Sequence, residues 1–396
     1  MKIQRLVITI STFFIIILTG CKNESSSNVE TVNTIIGTIQ QKYAPDKRTA
    51  RFEVTLVENG TYLIIKGITT NEKALVNFKE KMDSIGISFT DSLLLLPTAD
   101  LKDKTGVINN SVSNIRSTKG DASEMATQAL LGTPVKILQN IGGWYMVQTP
   151  DMYIGWIYQS EMDIKDDDDL NNWLSKPKII ITEMYTKSFQ NADENQPVSD
   201  LVAGDILALV EENPDHYTVM YPDGREAFID KKHAQLYENW LTSLQTSQKT
   251  LVETSKQFLG LPYLWGGTSP KGVDCSGFTK SVYFLNGTII PRDASQQVHE
   301  GDLIDDKKDF SNLLPGDLLF FGRITPEGKE KVVHVGMWIG NNEYIHASGR
   351  VKINSVDSTA SNYDEYNYNR YLRTKRLLDK HTNGITYLKD KKLYTK

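Results

Sequence analysis

The sequence has little cysteine. Of its 396 residues only Cys21 and Cys275 carry a thiol, which excludes a disulfide framework and a cysteine-ligated zinc site and leaves each cysteine to be explained separately. The chain also lacks a strongly basic block, since 44 Lys and Arg residues against 49 Asp and Glu residues give a net charge of −5. A nucleic acid is therefore not expected as its main partner.

An apolar run long enough to cross a membrane is missing as well. The run over residues 6–18 is about 13 residues long, whereas a spanning helix needs roughly 20. It follows Lys2 and Arg5 and ends in Leu18-Thr19-Gly20-Cys21, which resembles a bacterial lipobox. This arrangement predicts a lipoprotein signal peptide over residues 1–20.

The same signal predicts that Cys21 becomes the lipid-modified first residue of the mature chain. Its acyl chains would anchor the protein to a membrane of the cell envelope. The polar residues 21–29 are predicted to form a flexible tether. An uncleaved N-terminal anchor is the alternative, and the sequence leaves open whether the protein faces the periplasm or the outside.

Length and composition favour several folded domains. Hydrophobic residues make up 39% of the chain and charged residues 23%, and one core rarely extends beyond about 250–300 residues. Residues 30–100 show helix and strand patterns that predict a small α/β domain. Short strands between Gly and polar turns favour small β-barrels over 107–163 and 177–240, and both stretches resemble bacterial SH3-like domains. With a further mixed region over 250–378, the predicted fold class is α+β multidomain.

Four consecutive carboxylates, Asp166–Asp169, separate the two predicted barrels. We interpret them as a solvated linker, because adjacent carboxylates repel one another and no Gly-containing calcium loop surrounds them. A cation site is the alternative interpretation. No metal site is predicted anywhere in the chain.

Cys275 lies in Val273-Asp274-Cys275-Ser276-Gly277-Phe278, and apolar residues at helical spacing follow it. The pattern predicts Cys275 at or near a helix N-terminus, where the backbone N–H groups and the helix dipole favour an anion. Such a position, especially beside an imidazolium, lowers the pKa of a thiol and favours a nucleophilic thiolate. The alternative is a buried, inert cysteine.

Two histidines flank a predicted β-hairpin. His334 lies in a strand-like run that ends at Gly340, and His346 lies in the next such run. A turn centred near Gly340, with an odd-numbered loop or a bulge, predicts both side chains opposite each other on one face of the sheet. One imidazole can then act as the base for Cys275 while the other fixes its tautomer. Two unrelated histidines are the alternative.

Three motifs resemble those of the NlpC-type papain-like cell-wall cysteine peptidases: Asp274-Cys275-Ser276-Gly277-Phe278, His334-Val335-Gly336 and Tyr344-Ile345-His346. The resemblance covers about 250–378 and implies a helix with the cysteine packed on an antiparallel sheet with both histidines. It implies Cys275 as nucleophile, His334 as general base and later acid, and His346 as the orienting residue. It also implies that the Cys275 backbone N–H and the Tyr263 hydroxyl bind the oxyanion, with no metal or organic cofactor.

The order of two SH3-like domains before the peptidase domain resembles the γ-D-glutamyl-L-diamino acid endopeptidases of the dipeptidyl-peptidase VI kind. That resemblance implies that an acid and a tyrosine of the first barrel bind the substrate's free amine, and the best-placed residues are Glu124 and Tyr158. It further implies substrate contacts from three residues of the peptidase domain, Asp274, Ser276 and Asp293. The group often has Ser directly after that Asp, whereas this chain has Ala294 and then Ser295.

The expected activity is hydrolysis of the γ-D-glutamyl–diamino acid bond in peptidoglycan stem peptides that begin with a free L-Ala. If the Glu124 carboxylate is buried against the substrate ammonium, N-acylated peptides are expected to be rejected, because they would leave it unpaired. Two alternatives remain: a peptidoglycan-binding lipoprotein without catalysis, and an amidase or acyltransferase that uses the same thiol.

Overall fold

The structure is a computed structural model that describes residues 21–59, 62–193 and 195–396. The chain divides into two compact units: the first holds the described residues up to Pro45 together with Ala50–Leu95, and the second holds Asp46–Thr49 together with Leu96–Lys396. The short segment Asp46–Thr49 thus belongs to the second unit, although its neighbours in sequence belong to the first.

The first unit packs two helices against a three-stranded sheet. Its elements are α1 (Cys21–Tyr43), β1 (Phe52–Asn59), β2 (Tyr62–Thr69), α2 (Glu72–Ser84) and β3 (Phe89–Leu95), and β2 is antiparallel to β1 and parallel to β3. Helix α2 begins after Asn71, because the Asn71 side chain accepts a hydrogen bond from the Ala74 N–H at 3.1 Å. Ile39, Phe52 and Phe78 are buried in the core between helices and sheet.

Helix α1 differs from the prediction for the N-terminal stretch. Its described part runs from Cys21, so residues predicted to form a flexible tether lie in the helix. No Pro or Gly interrupts it before Gly37, which is compatible with a continuous helix. Up to Ser27 only the backbone is described, and the predicted signal peptide, residues 1–20, lies outside the described residues.

The second unit begins with two seven-stranded antiparallel sheets, which correspond to the two predicted barrels. The first barrel consists of β4 (Thr105–Ile108), β5 (Val112–Arg116), β6 (Met125–Leu130), β7 (Pro134–Ile141), β8 (Trp144–Gln148), β9 (Ile154–Tyr158) and β10 (Met162–Lys165), in the order β10-β4-β7-β8-β9-β5-β6. Alternate residues such as Ile115, Val135 and Val147 face one buried core. A short 3₁₀ turn, Gln159–Glu161, precedes β10.

The acidic run between the barrels is exposed to solvent, as predicted, but it also begins a helix, α3 (Asp167–Ser175), which was not predicted. The Asp166 carboxylate caps this helix by accepting a hydrogen bond from the Asp169 N–H at 2.8 Å. Carboxylates in the first turn are favoured by the positive end of the helix dipole. Trp173, near the other end, is buried and anchors the helix.

The second barrel consists of β11 (Lys178–Ile181), β12 (Tyr185–Phe189), β13 (Pro197–Val202), β14 (Ile206–Glu212), β15 (His216–Met220), β16 (Glu226–Asp230) and β17 (Ala234–Leu236), in the order β13-β12-β16-β15-β14-β11-β17. A 3₁₀ turn, Lys231–His233, precedes β17. Ile179, Leu207, Val219 and Ile229 are fully buried in its core.

Residues 237–396 pack helices on a six-stranded antiparallel sheet. They include the stretch that resembles the cell-wall peptidases, and we call them the peptidase region. Its helices are α4 (Tyr237–Ser243), α5 (Gln248–Gln257), α6 (Cys275–Leu285), α7 (Ala294–Gln297) and α8 (Glu365–Asn369). Its sheet is β21 (Asp302–Asp305), β22 (Leu318–Ile324), β23 (Glu330–Gly340), β24 (Glu343–Ser348), β25 (Arg350–Ser355) and β26 (Tyr371–Arg376), in the order β21-β26-β22-β23-β24-β25. Two-residue strands are β18 (Thr268–Ser269), β19 (Gly272–Val273), β20 (Thr288–Ile289) and β27 (Thr386–Tyr387). Phe278 and Val282 of α6 share one core with Met337 and Ile345 of the sheet.

The predicted α+β fold class is confirmed, with a small α/β unit, two barrel-like sheets and a helix-on-sheet peptidase region. The boundaries proposed for the separate domains stay a prediction. No helix among the described residues is long and apolar enough to span a membrane.

Candidate active site

Cys275 is the first residue of helix α6 and is buried. The helix begins there because the Asp274 carboxylate caps it, accepting a hydrogen bond from the Gly277 N–H at 2.7 Å. Gly277 is required by packing, since a Cβ at this position would lie 1.9 Å from the carbonyl oxygen of Gly267. The Asp-Cys-Ser-Gly sequence therefore fixes where the thiol sits as well as supplying it.

The pKa of the Cys275 thiol differs from the prediction. Burial, followed by the nearby Asp274 carboxylate, raises it to about 12, although the backbone N–H groups of Val335 and Ser276 act in the opposite direction. The helix N-terminus is present as predicted, but desolvation of the charged form outweighs it. At neutral pH the thiol is therefore protonated, and a neighbouring base must remove its proton during attack.

The hairpin between β23 and β24 brings the two histidines together. Its register pairs Met337 with Ile345 and shifts at a bulge before Gly340. Asn341 and Asn342, both with positive φ, form the turn. The turn is thus one residue later than predicted.

In this register His346 on β24 lies opposite Gly336 on β23. His334, two residues before Gly336, therefore lies diagonally across from His346. A Cβ at Gly336 would lie 3.2 Å from the Cβ of His346, so the missing side chain leaves room for both rings. The His334 Nε2 lies 2.7 Å from the His346 Nδ1. The two imidazoles are on one face, as the hairpin pattern predicts, but in a diagonal rather than a directly opposed arrangement.

A chain of hydrogen bonds fixes the tautomers of both rings. The Asn354 side-chain amide donates to the Asn362 carbonyl at 2.8 Å, so its Oδ1 is left to accept from the His346 Nε2 at 2.9 Å. The His346 Nδ1 must then be an acceptor, and it receives the proton on the His334 Nε2. The Nδ1 of His334 keeps a free lone pair and can act as a base.

Both histidines are neutral at physiological pH. Burial, reinforced by the neighbouring His346, lowers the pKa of His334 to about 3. Burial also lowers the pKa of His346 to about 4, although the hydrogen bond that His346 donates to Asn354 acts to raise it. A neutral His334 is the form that can accept the thiol proton. Its strand lies beside the nucleophile, because the Val335 N–H donates a hydrogen bond to the Cys275 sulfur.

A buried ion pair lies behind the nucleophile. The guanidinium of Arg292 binds both oxygens of the Asp274 carboxylate, at 3.1 and 2.6 Å. It also donates to the Ser276 hydroxyl at 3.1 Å and to the Thr127 hydroxyl of the first barrel at 3.1 Å. Arg292 is 1% exposed. Asp274 and Ser276, predicted to bind substrate, thus have their polar atoms engaged in this network, and the proposed direct contacts stay predictions.

Cys275 opens into a cleft of about 460 Å³ between the first barrel and the peptidase region. The residues that line it are Lys47, Arg48, Ser117, Glu124, Ala126, Tyr153, Tyr263, Trp265, Gly266, Asp274, Cys275, Ser276, Asp293, Ala294, Ser295, Val332 and Val333. Burial, followed by the nearby Cys275, raises the pKa of Tyr263, which keeps its hydroxyl protonated and able to donate. Six of the predicted residues therefore line one cleft, namely Glu124, Tyr263, Asp274, Cys275, Ser276 and Asp293. A seventh, His334, directly follows the lining residue Val333 in the chain.

Glu124 lies in the cleft, but it is exposed rather than buried. One of its carboxylate oxygens accepts a hydrogen bond from the Trp265 indole N–H at 2.7 Å. The other carboxylate oxygen of Glu124 remains available to accept a hydrogen bond from a ligand. The expected strong rejection of N-acylated peptides assumed a buried carboxylate, which the structure does not have. We therefore expect a smaller penalty, because water can solvate Glu124 when no ammonium is bound.

Tyr158 lies elsewhere on the first barrel. It is the last residue of β9, its side chain is 38% exposed, and its ring packs against Trp144 with centroids 5.4 Å apart. The alternation along β9 turns Ile157 into the core and Tyr158 outward. The tyrosine that the first barrel brings to the cleft is Tyr153, whose hydroxyl lies near the Asp293 carboxylate.

Four residues of this site were missed by sequence reasoning. Tyr153 and Arg292 are close in sequence to predicted residues, and Arg292 precedes Asp293 directly, so that motif could have indicated it. Asn354 lies on β25, next to the histidine hairpin. Arg48 lies more than 200 residues before Asp293 in the sequence, and no sequence motif around it indicates a place in this site. Within the described part of the chain, no group of three or more His, Cys, Asp or Glu side chains could hold a metal ion.

Two family profiles match the chain where this site lies. That of the NlpC/P60 family matches residues 260–374, and that of the bacterial dipeptidyl-peptidase Sh3 domain matches residues 115–161. The first includes Cys275 and both histidines, and the second includes Glu124 and Tyr153.

Individual proteins are similar over a longer stretch. The γ-D-glutamyl-L-lysine dipeptidyl-peptidase of Bacillus cereus is 32% identical over 235 residues, which cover 57% of this chain and 68% of that protein. Dipeptidyl-peptidase 6 of Lysinibacillus sphaericus is 29% identical and covers 59% of this chain and 85% of its own length. A solved NlpC/P60 family protein of Bacillus cereus has a TM-score of 0.58 at 26% identity and covers 69% of this chain and 99% of its own.

Proposed function

This chain belongs to the NlpC/P60 family, and from that premise we propose that it hydrolyses the γ-D-glutamyl–diamino acid bond of peptidoglycan stem peptides with a free N-terminal L-Ala. The observation that carries the proposal is the cleft lined by Cys275, with the hydrogen-bonded pair His334–His346 on a strand whose Val335 packs in one core with Cys275. The relatives named as γ-D-glutamyl-L-lysine dipeptidyl-peptidases support this substrate class.

The first half of the reaction forms an acyl-enzyme. The Nδ1 of His334 takes the thiol proton as the Cys275 sulfur attacks the carbonyl carbon of the γ-glutamyl bond. The Cys275 N–H and the Tyr263 hydroxyl bind the resulting oxyanion. Protonated His334 then gives its proton to the leaving amine of the diamino acid, which departs and leaves a thioester. His346 and Asn354 hold the ring of His334 in the tautomer that makes both transfers possible.

The second half consumes one water molecule. His334 removes a proton from this water, which attacks the thioester carbonyl, and the collapse of the intermediate returns the proton to the sulfur. The products are L-Ala-γ-D-Glu and the free diamino acid or the peptide that begins with it. Glu124 binds the L-Ala ammonium at the far end of the cleft.

Mass spectrometry of the products tests this proposal. Full-length protein incubated with L-Ala-γ-D-Glu-L-Lys is expected to release L-Ala-γ-D-Glu and L-Lys. Cys275→Ala is expected to abolish turnover, whereas Cys21→Ser, which removes the other thiol, is expected to retain it. Turnover unchanged in Cys275→Ala, or cleavage only at another bond, would contradict the proposal.

We further propose that the chain is exported and held at a membrane of the cell envelope by lipid on Cys21. The short apolar run over residues 6–18 and the Leu18-Thr19-Gly20-Cys21 motif support this. Cells grown with labelled palmitate are expected to incorporate label into the wild-type protein and into Cys275→Ser, but not into Cys21→Ser. Label that persists in Cys21→Ser would argue against anchoring at this residue.

A further inference from the structure

A largely buried carboxylate lies beside the histidine pair. Asp364 caps helix α8, and its Oδ2 lies 4.0 Å from the Nε2 of His346. The His346 side chain is fully buried, and that of Asp364 is 14% exposed. At this distance the two groups interact through charge rather than through a hydrogen bond, since the His346 Nε2 already donates to Asn354.

Three hydrogen bonds hold the Asp364 carboxylate in place. Its Oδ1 accepts from the Asn367 N–H at 3.1 Å, and its Oδ2 accepts from the Tyr344 hydroxyl and from the Asn367 side chain, both at 2.8 Å. Burial acts to raise the pKa of Asp364, but these hydrogen bonds outweigh burial and lower the pKa below its usual value. The carboxylate is therefore ionised at neutral pH.

The fold ties this charge to the strand that holds His346. Tyr344 and His346 are two residues apart on β24, so both side chains project from one face of the sheet. Their rings pack against each other with centroids 4.9 Å apart. Burial raises the pKa of Tyr344, so its hydroxyl keeps its proton and donates it to Asp364. The position of the carboxylate thus follows that of the histidine strand.

Proton transfer from Cys275 creates a positive charge on the histidine pair. When the thiol proton moves to the Nδ1 of His334, the two hydrogen-bonded imidazoles together gain one charge. In a Ser-His-Asp triad the third residue is an ionised carboxylate, which stabilises such a charge. Here the third residue is His346, and its hydrogen-bond acceptor Asn354 is neutral as well.

Two cations near the pair disfavour this charge. Burial and the neighbouring His346 lower the pKa of His334 most, and Arg370 after α8 and Lys352 on β25 lower it further. Asp364 acts in the opposite direction on both histidines, against the larger effect of burial. Its carboxylate therefore offsets the two cations at the moment when the pair becomes charged.

We propose that Asp364 is a positioning residue of the reaction, whose ionised carboxylate stabilises the positive charge on the His334–His346 pair. The inference rests on the proposed function, because it assumes that Cys275 gives its proton to this pair. Asp364 itself neither gives nor takes a proton. The thiol proton passes to His334 and then to the leaving amine, while the carboxylate stays ionised throughout.

Three variants assayed on L-Ala-γ-D-Glu-L-Lys test the sign of the effect. Asp364→Asn is expected to lower kcat about tenfold with little change in KM, because loss of an opposite charge this close lowers the pKa of the pair by about 1. It is also expected to shift the acid limb of the kcat/KM profile to lower pH, whereas Lys352→Gln shifts that limb to higher pH. Asp357→Asn removes a carboxylate of the preceding loop that binds Thr359, and it is expected to change neither quantity.

Alkylation of the thiol separates a failure of this inference from a failure of the proposed function. In full-length Cys21→Ser, iodoacetamide reacts with Cys275, and its rate at pH 7 measures how readily the thiol gives its proton to the pair without any peptide. Asp364→Asn is expected to lower this rate about tenfold, and Lys352→Gln to raise it about two- to threefold. These changes support the inference even if the peptide is not cleaved. A rate within twofold of the parent in Asp364→Asn overturns it, whatever happens to hydrolysis.

A purely structural role of Asp364 gives a different pattern. Tyr344→Phe removes one of the three hydrogen bonds but keeps the charge, and its alkylation rate is expected to stay within threefold of the parent. Equal losses in Tyr344→Phe and Asp364→Asn would mean that the contact matters rather than the charge, and would overturn the inference. If Asp364→Asn does not fold, Lys352→Gln still tests the sign, because it keeps every hydrogen bond of Asp364. A rate that does not rise in Lys352→Gln then counts against the inference.

Discussion

The two walls of the cleft differ in how firmly their polar groups are held. The reacting wall carries Cys275, and the pair His334–His346 lies on the sheet packed against the helix of Cys275. These side chains are buried or half-buried, and the partners of the histidines come from the peptidase region itself. On the recognition wall, Glu124 is exposed, and Arg48 is one-third exposed and comes from a distant part of the chain.

This difference separates chemistry from selectivity. Proton transfer needs groups fixed in one tautomer and one position, and burial with full hydrogen bonding provides this. Each recognition group that is exposed to water contributes less free energy of binding. Its side chain can also be substituted without unfolding the site. The following predictions test the contrast from the largest expected effect to the smallest.

Removal of the ion pair behind the nucleophile is expected to have the largest effect. Arg292→Met leaves the Asp274 carboxylate buried without its partner, which is expected to cost about 3–5 kcal/mol of unfolding free energy. On the recognition wall, Arg48→Met breaks partly exposed pairs with Asp46 and Asp293 and is expected to cost about 1 kcal/mol or less for each.

Chemical denaturation at pH 7 measures both losses. The double variant Asp274→Asn/Arg292→Met is expected to be more stable than Arg292→Met alone, because it removes the unpaired charge. Similar losses for the two arginine variants would contradict the distinction between the walls.

The buried histidines predict a pH dependence of stability. The pKa of His346 is about 4 in the folded protein and 6.5 without the effect of burial. Between these values the unfolded chain binds more protons, so stability is greatest above pH 6.5 and falls as the pH drops towards 4. The loss from His346 is expected to reach about 3 kcal/mol.

Unfolding free energies of the wild type and of His346→Gln, measured from pH 7 to pH 4, isolate this contribution. Carboxylates elsewhere in the chain titrate in both proteins. The difference between the two slopes of unfolding free energy against pH is therefore due to His346. Parallel curves would mean that His346 is protonated as readily in the folded protein as in the unfolded chain.

The reacting wall could be predicted from the sequence because its signals are local. The helix start at Cys275 follows from its capping Asp274, and the shared face of the histidines follows from strand alternation. The pKa of Cys275 could not be predicted, since it depends on how much of the sheet covers the thiol. Likewise Asn354 becomes visible only when β25 is placed beside β24, because its role depends on strand order rather than on sequence spacing.

Asn354 tests whether the tautomer chain matters for the reaction. Asn354→Leu removes the acceptor for the His346 Nε2 proton, and kcat is expected to fall by about 10²-fold with little change in KM. Asn354→Asp keeps an acceptor and is expected to retain most of kcat above pH 8. Its charge raises the pKa of His346, so the acid limb of the pH profile is expected to shift to higher pH.

Two results would count against this role. If Asn354→Leu and Asn354→Asp lose activity equally, the side chain is needed only for packing. If KM rises while kcat is unchanged, Asn354 acts on substrate binding instead.

Glu124 on the recognition wall is expected to have a smaller effect. Glu124→Gln removes the charge proposed to bind the substrate ammonium. It is expected to raise KM only about tenfold, because an exposed carboxylate is already solvated. The same reasoning predicts that N-acetylation of the substrate costs the wild type more than it costs Glu124→Gln. Equal penalties in the two proteins would show that Glu124 does not contact the amine.

The recognition wall was predicted less well because its residues lie in loops of the first barrel and in a distant segment. Strand-end position favoured Tyr158, but the alternation along β9 turns that side chain outward, whereas the loop before β9 carries Tyr153 into the cleft. A loop residue has no periodicity from which its direction can be inferred. The arrival of Arg48 beside Asp293 depends on packing between segments far apart in the chain.

The two tyrosines give the finest test of this comparison. Tyr153→Phe removes a hydroxyl near Asp293 in the cleft, and kcat/KM is expected to fall about three- to tenfold, the usual effect of losing one hydrogen-bonding group. Tyr158→Phe keeps the ring that packs on Trp144 and removes only an outward hydroxyl, so kcat/KM is expected to stay within twofold of the wild type. Thermal unfolding of both variants controls for damage to the barrel, because each retains its aromatic ring. The reverse ranking, with Tyr158→Phe the more impaired, would mean that the substrate approaches the exposed end of β9, and the recognition wall would have to be redrawn around Tyr158 and Trp144.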